Sequence, residues 1–255
     1  MAVSEPVVLA QEGSLWVVSK PAGYAVHPTN DPSIPDLVRW AKQVHGADGL
    51  APAHRLDRDT SGVVLLSTSS KERGRLGKLF ERGEVRKVYL ALVVEAMEGE
   101  GVICELLADA RRGRPLEAVT RYRTLETLPD CTLLEVTPET GRKHQIRRHL
   151  QGLGHAVVGD TRYRHRRFVR IHAFPGRLWL HALRLTLLDG TTWEAPLAPE
   201  LAEHLDRLRS IVRLTPDIEV SDGRSVDAGA ARRPSQAADE AGTGGGEPTR
   251  RPEGG

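Results

Sequence analysis

The sequence predicts an α+β fold, built on a mixed, mostly antiparallel sheet that is flanked by helices. Strand-like segments come in neighbouring pairs along most of the chain, and single amphipathic helices separate these pairs. Turn signals that are typical of hairpins join several of the segments, such as Gly13 and Asp189-Gly190. Strand pairs interrupted by single helices are typical of antiparallel sheets with helices packed beside them.

The predicted strands are short and rich in apolar residues. The first two strands are joined at Gly13, and the last two form a hairpin around Asp189-Gly190. Val63–Leu66 is a continuous apolar run, which is typical of a buried strand. The predicted strand segments are residues 7–21, 62–68, 86–94, 118–126, 131–138, 178–188 and 191–195.

Four further segments place apolar residues at helical spacing and carry helix boundary signals. The first ends at Gly46, while Ser69 and Glu72 form a capping box at the start of the second, which ends at Gly83. We expect the third helix to begin near Thr140. The predicted helical segments are residues 35–46, 69–83, 140–154 and 198–211.

The domain organisation follows from a change in composition near the C-terminus. From about Ser221 the chain is rich in Gly, Ala, Arg and Pro, has no aromatic residue, and has Val226 as its only large aliphatic side chain. Such a segment buries too little apolar area to offset the entropy of ordering it. We therefore expect one folded domain over residues 1–215 and a disordered tail over residues 216–255.

The composition excludes several classes of protein. Apolar residues make up 39% and charged residues 27% of the chain, as in ordinary globular proteins. We find no run of about 18 apolar residues, so no transmembrane helix is expected. The first residues lack the basic and apolar regions of a secretory signal. The two cysteines, Cys104 and Cys131, predict neither a disulfide framework nor a zinc knuckle, and a cytoplasmic location is expected.

The charge distribution indicates a possible surface for phosphates. The net charge is only +2, but nine Lys and Arg residues lie between Arg142 and Arg170, where only Asp160 opposes them. A concentrated basic segment can bind a nucleic acid backbone. From charge alone, a solvated basic face remains an equally good interpretation.

Residues 54–62, HRLDRDTSG, form a loop that enters the buried strand run and could carry chemistry. The loop holds two carboxylates, Asp57 and Asp59, between basic residues. A carboxylate beside fixed cations stays ionised and can act as a nucleophile or a general base. A turn in which these side chains only bond backbone groups is the alternative. An aspartic protease is disfavoured, because the order is Asp-Thr-Ser-Gly and no second copy supplies the paired carboxylate.

Residues 140–150, TGRKHQIRRHL, are the second such segment. Helical spacing predicts that His144, Arg147 and Arg148 share one face, and Arg pairs well with carboxylates or phosphates. A solvated amphipathic helix is the alternative interpretation. A metal site at His144, His149 and His155 is disfavoured, because their spacing is not that of a zinc-binding helix.

Two shorter segments are ambiguous from their residues alone. In the strand 86–93, Tyr89 could stack on a nucleobase or serve as a core aromatic. In the loop 19–29, Lys20 and His27 could face a ligand or be ordinary loop residues.

Taken in order, these segments resemble the RluA family of RNA pseudouridine synthases. The resemblance covers roughly residues 7–200, and HRLDRDTSG and TGRKHQIRRHL are its most specific motifs. Within the family, residues 118–125 and 140–160 look most like the tRNA-modifying TruC branch. The chain departs from the family pattern at Arg164, where the family often has Gly, and in the strongly basic stretch 165–176. The resemblance implies the pseudouridine synthase fold, with a central RNA-binding cleft, and makes residues 1–215 the catalytic domain.

The resemblance also implies residue roles. Asp57 matches the catalytic aspartate, Tyr89 the tyrosine that stacks under the uracil ring, and Arg147 the arginine that pairs with the aspartate. Arg55 matches a side chain that helps to extrude the target uridine, whereas Asp59 has no such role. The remaining residues expected to contact RNA are His54, Lys87, Arg142, His144, Arg164, Arg166 and Arg167.

The expected activity is isomerisation of specific uridines in tRNA or rRNA to pseudouridine. The reaction involves no redox change and loses no atoms, so we expect no cofactor and no metal. The expected partner is RNA, with no membrane contact and a monomer as the default state. Two other functions stay open: an RNA-binding module without catalysis, and a metal-dependent hydrolase built on the histidines.

Overall fold

The computed structural model describes residues 4–109 and 112–214, in which ten strands form one sheet and four helices flank it. The predicted tail, residues 216–255, lies outside the described residues. The helices are α1 (Leu37–His45), α2 (Ser70–Arg82), α3 (Gln145–Gly152) and α4 (Pro199–Leu214). The strands are β1 (Val7–Glu12), β2 (Leu15–Lys20), β3 (Ala51–Pro52), β4 (Ser61–Ser67), β5 (Val85–Val94), β6 (Glu100–Asp109), β7 (Arg114–Leu128), β8 (Cys131–Pro138), β9 (Leu180–Leu187) and β10 (Thr192–Glu194).

The sheet has the strand order β1-β2-β4-β9-β5-β8-β7-β6, and the short strands β3 and β10 pair with β4 and β9. Only one pairing in the described sheet is parallel, between β4 and β9, where Ser61 lies opposite His181 and Gly62 opposite Ala182. The predicted α+β class with a mixed, mostly antiparallel sheet is therefore confirmed. The parallel pairing brings the start of β4 beside the centre of the sheet.

The helices cover both faces of the sheet. Alternate residues of a strand point to opposite faces, so each strand packs against helices on both sides. Val64 and Leu66 of β4 belong to the core cluster that contains α1, whereas Val63 and Leu65 belong to the cluster that packs on α2. In the same way, alternate residues of β5 pack in the cluster of α3 and in the cluster of α4. Tyr89 contacts both the α1 cluster and the α3 cluster, so it lies where these two cores meet.

The helix boundaries follow the predicted signals for α1 and α2. The Asp36 carboxylate accepts the backbone N–H of Arg39 at 2.8 Å and caps the start of α1, and Gly46 ends the helix with φ 60°. Ser69 caps α2 in the same way through the backbone N–H of Glu72. The side chain of Glu72 bonds to Arg75 instead of completing the capping box.

One predicted helix start was wrong, and the strands β3 and β6 were not predicted. The helix expected to begin near Thr140 begins at Gln145, because His144 adopts a left-handed conformation with φ 54° that ends the preceding loop. Strand β6 contains Glu100 and Glu105, and Glu is depleted in strands. It is an edge strand, which pairs only with β7 in the described sheet, and edge strands tolerate such charges.

Among the described residues, no helix combines the length and the apolarity that crossing a membrane requires.

Candidate active site

Buried contacts hold the loop that carries Asp57. Leu56 is buried in the α1 core cluster, and the Asp57 carbonyl accepts the Thr60 backbone N–H at 3.2 Å. The fully buried ammonium of Lys20 donates to three backbone carbonyls, including that of Arg58 at 2.9 Å. Burial, helped by nearby Arg177, lowers the pKa of Lys20 to about 7. The tight turn and the lysine therefore hold the backbone on both sides of Asp57.

The Thr-Ser-Gly part of the motif anchors the loop to the sheet. Ser61 Oγ lies 2.9 Å from His181 Nδ1 and accepts a hydrogen bond from Arg177 Nη2 at 2.9 Å. Gly62 has φ 123°, and a Cβ there would lie 2.1 Å from the carbonyl oxygen of Ala182. Only glycine fits this close approach between β4 and β9. This part of the motif is therefore explained by packing.

Asp57 faces two basic side chains that come from the segment before α3 and from α3 itself. Its Oδ1 lies 3.7 Å from His144 Nε2, and its Oδ2 lies 3.9 Å from Arg147 Nη1. The side chain of Asp57 is 23% exposed, so a substrate can reach it. Asp59, which had the same chemistry in the sequence, is 45% exposed and pairs with its neighbour Arg58 at 3.1 Å. Of the two carboxylates, Asp57 has the environment of a reactive group.

Arg147 is held by a second carboxylate. Its Nε and Nη2 donate to Oδ2 and Oδ1 of Asp160 at 2.7 and 2.8 Å. Burial alone would lower the pKa of Arg147, but the bonds to Asp160 raise it above its ordinary value. Burial would likewise raise the pKa of Asp160, but the bonds from Arg147 and from two backbone N–H groups hold it below its ordinary value. Arg147 and Asp160 therefore form a charged pair. The contact of Arg147 with Asp57, which was expected from the sequence, is longer, at 3.9 Å against 2.7 Å to Asp160.

His144 and Tyr163 form the other side of the site. His144 Nδ1 lies 3.1 Å from the Tyr163 hydroxyl, and the Arg147 guanidinium lies 5.2 Å from the centre of the Tyr163 ring. Burial lowers the pKa of His144, so the ring is neutral near pH 7. His144 is not a glycine but has a positive φ of 54°, which indicates that its surroundings hold the backbone in this conformation.

Tyr89 completes the cluster at the junction of the two cores. It is half-buried, and burial together with the charge of Asp57 raises the pKa of its hydroxyl, which therefore stays protonated. A flat ring at this position can support a planar base. The structure places Arg147 3.9 Å from Asp57, and Tyr89 packs against the core cluster that contains Leu56, the residue before Asp57. These are the three residues that were predicted to be catalytic.

The cluster can present the Asp57 carboxylate to an electron-poor carbon near the ring of Tyr89. Its cation and its neutral imidazole are fixed before any substrate arrives. Residues 14–152 match the family described as RNA pseudouridylate synthase, which is more than half of the chain. The chain belongs to the RNA pseudouridylate synthase family. This family consists of isomerases, and the RluA-type resemblance of the sequence is confirmed.

The relatives of this family member act on different RNAs according to their names. The chain is 36% identical over 207 residues to tRNA pseudouridine synthase C of Salmonella typhimurium, which covers 71% of this chain and 79% of that protein. It is 31% identical over 232 residues to ribosomal large subunit pseudouridine synthase D of Nitrosomonas europaea, which covers 80% of this chain. The chain spans 65% of the length of that second protein.

A solved structure supports the pseudouridine synthase fold. The structure of human RNA Pseudouridylate Synthase Domain Containing 4 is similar with a TM-score of 0.65 and 28% sequence identity. The similarity covers 79% of this chain and 92% of that one. The fold class predicted for this family member is therefore confirmed.

The structure places the residues expected to contact RNA in different environments. Arg55, Arg164, Arg166 and Arg167 are exposed, and no ion pair involves them among residues 4–109 and 112–214. Arg142 is half-buried and donates from Nε to the carbonyl of Glu117.

Two of the expected RNA contacts are less accessible than the sequence suggested. His54 accepts the backbone N–H of Leu65 and stacks on Phe80 at 4.3 Å, and burial lowers its pKa to about 3. Its ring is therefore engaged within the protein, which is the environment of a structural residue. Lys87 is buried in β5, and burial lowers the pKa of its ammonium.

The sequence assigned no role to Asp160 or Tyr163, and it left Lys20 open between a ligand contact and an ordinary loop residue. Lys20 is buried and binds three backbone carbonyls. The charge distribution contained one signal for Asp160, because it is the only acidic residue in the basic segment 142–170. The histidines considered for a metal site do not form one: within the described part of the chain, no group of three or more potential ligands lies together. His149 instead lies 2.9 Å from the Thr120 hydroxyl through Nδ1.

Proposed function

We propose that this chain isomerises specific uridines in tRNA or rRNA to pseudouridine, with Asp57 as the catalytic carboxylate and without a cofactor. The observation that carries the proposal is the position of Asp57, with one oxygen facing His144 and the other facing Arg147 at 3.7 and 3.9 Å. Membership of the RNA pseudouridylate synthase family gives this cluster its substrate class. Two relatives have names that specify tRNA and ribosomal large subunit RNA, and the proposal keeps both as targets.

The chemistry suits a single carboxylate. The N1–C1′ bond of the uridine breaks, the base turns, and C5 bonds to C1′. The hydrogen on C5 leaves as a proton, and N1 takes up a proton from solvent, so the product is an isomer of the substrate. No electron is gained or lost overall, so no redox partner is required. A carboxylate can attack or stabilise the electron-poor sugar carbon, as one does in glycoside hydrolysis.

Arg147 and Tyr89 have supporting roles in this proposal. Arg147 places a positive charge 3.9 Å from the Asp57 carboxylate, where it attracts the carboxylate and helps to orient it. Tyr89 supports the detached base and prevents its escape while it turns. The raised pKa of its hydroxyl keeps the ring neutral in this role.

The target uridine must leave its stack to reach Asp57, at a cost of a few kcal/mol. Cationic side chains that bind the flanking phosphates offset this cost. The loop between α3 and β9 carries such side chains on its exposed surface. Its exposed arginines are Arg162, Arg164, Arg166, Arg167 and Arg170. Phe168 is 94% exposed among them, and an exposed ring can stack on an unpaired base.

The test is turnover by the purified full chain on unmodified tRNA and rRNA transcripts labelled with tritium at C5 of uridine. Each isomerisation releases one tritium to water, and nucleoside chromatography then identifies pseudouridine. We expect release from at least one transcript in a buffer that contains only protein, RNA and salt. RNA binding without tritium release from any transcript would reject the proposal and favour a non-catalytic binding module. Release that depends on a metal recovered with the protein would instead favour a metal-dependent enzyme.

A further inference from the structure

Asp160 is a buried carboxylate whose two oxygens accept four hydrogen bonds. Its side chain is fully buried. Oδ1 accepts the backbone N–H groups of Arg162 at 2.9 Å and Tyr163 at 2.8 Å, together with Nη2 of Arg147 at 2.8 Å. Oδ2 accepts Nε of Arg147 at 2.7 Å. A buried charge is tolerated when it is paired and hydrogen-bonded in this way.

The segment that carries Asp160 is fixed in the sheet. Val158 donates its N–H to Leu92 of β5 at 2.8 Å, and its carbonyl accepts the N–H of Trp179 at 2.9 Å. Gly159 has φ 78°, and a Cβ there would lie 2.2 Å from the carbonyl oxygen of Arg177. The carboxylate is therefore mounted on a rigid part of the fold rather than on a free loop.

Asp160 reaches both groups that face Asp57. It takes two of the N–H donors of Arg147 and leaves Nη1 directed at Asp57 Oδ2, 3.9 Å away. It also binds the backbone N–H of Tyr163, whose hydroxyl lies 3.1 Å from His144 Nδ1. The other ring nitrogen of His144 lies 3.7 Å from Asp57 Oδ1.

We propose that Asp160 is the positioning residue of this site, which sets both Arg147 and, through Tyr163, His144 at fixed distances from Asp57. This inference rests on the proposed function. In this proposal Asp160 does not touch the substrate. It holds the Arg147 guanidinium 3.9 Å from Asp57, while its own bonds to Nε and Nη2 keep Arg147 from pairing with Asp57 directly. A catalytic carboxylate then remains available for the sugar carbon, and the fixed donors need no rearrangement during the reaction.

Asp160→Asn tests the inference selectively. The Asn carbonyl oxygen can still accept the two backbone N–H groups that Oδ1 binds, so the loop keeps its fold. The Asn amide instead places N–H groups opposite Nε of Arg147, where Oδ2 accepted a bond. The matched control is Glu126→Gln, which removes the carboxylate bound by Arg209 at 2.8 Å.

We expect kcat for tritium release to fall at least about tenfold in Asp160→Asn, with KM for RNA within about twofold of wild type. Glu126→Gln should keep both constants. In ¹⁵N NMR spectra of the free protein, the Arg147 Nε–H resonance should shift and broaden in Asp160→Asn alone. A kcat for Asp160→Asn within about twofold of Glu126→Gln, or an unchanged Arg147 resonance, would overturn the inference.

A second variant covers the case in which Asp160→Asn fails to fold. Tyr163→Phe removes only the hydroxyl near His144 and keeps the ring beside Arg147. We expect kcat to fall and KM to stay within about twofold, and an unchanged kcat would reject the role of the Tyr163–His144 contact. If the wild type releases no tritium at all, the proposed function fails. The Arg147 Nε–H resonance in Asp160→Asn then tests alone whether Asp160 positions Arg147.

Discussion

The buried pair of Arg147 and Asp160 allows a prediction about stability that does not depend on activity. We consider three variants: Arg147→Met, Asp160→Asn and the combination of both. Met fills most of the volume of the Arg stem and removes the guanidinium. In Arg147→Met the Asp160 carboxylate, whose side chain is fully buried, loses its bonds at 2.7 and 2.8 Å and keeps only two backbone N–H donors.

The expected magnitudes follow from what each variant leaves behind. Arg147→Met leaves a buried, half-satisfied charge, so the free energy of unfolding should fall by about 3–5 kcal/mol. Asp160→Asn leaves a guanidinium that still lies near Asp57, and the fall should be about 1–3 kcal/mol. In the double variant both charges are gone, and an unpaired amide costs less to bury than an unpaired carboxylate. The double variant should therefore be about 1–2 kcal/mol more stable than Arg147→Met alone.

The assay is urea unfolding at constant pH and salt, followed by circular dichroism and by tryptophan fluorescence. The coupling energy from the double-mutant cycle isolates the interaction between the two side chains. If the two single losses simply add, so that the double variant is the least stable of the three, then the pair is not the coupled unit that the structure describes.

Three further predictions concern other parts of the molecule. Arg164→Ala combined with Arg166→Ala should weaken RNA binding and reduce its salt slope by about two, and an unchanged slope in a filter-binding titration would show that these side chains do not contact phosphate. Gly62→Ala should lower the unfolding free energy by about 3 kcal/mol or more, because its Cβ would overlap the backbone of β9. Gly74→Ala, which has open space around it in α2, should be neutral or stabilising. Equal urea midpoints for the two variants would refute the packing explanation. His54, whose pKa burial lowers to about 3, is neutral in the folded state, so the unfolded state binds its proton first and stability is lost as pH falls from about 6.5 towards 3. This loss should amount to about 1.4 kcal/mol per pH unit in the wild type, and His54→Gln should lack it. An equal slope of unfolding free energy against pH in the two proteins would contradict the assignment.

The fold class and the family could be predicted from the sequence because both depend on local pattern. Alternating apolar residues identified most strands, and the loop motif around Asp57 is compact in sequence. The same reasoning failed where local pattern and tertiary contacts disagree. The predicted helix included residues 140–144, but His144 adopts a left-handed conformation, so α3 begins at Gln145.

The parts of the site that could not be predicted are the non-local ones. Asp160 meets Arg147 only after the chain has passed through α3 and returned to the sheet beside β5. Lys20 reaches the carbonyl of Arg58 across 38 positions of sequence. Neither contact has a period or a spacing that marks it in the chain. The same limit explains why Asp57 and Asp59 looked equivalent in the sequence although their environments differ.

The central claim is tested most directly by comparing Asp57→Asn with Asp59→Asn in one experiment. Both changes remove one carboxylate from the same loop, so they have the same effect on net charge. In single-turnover release of tritium from C5 of uridine, Asp57→Asn should show no measurable rate while RNA binding stays near wild type. Asp59→Asn should react at nearly the wild-type rate. Turnover by Asp57→Asn, or equal losses in the two variants, would contradict the account.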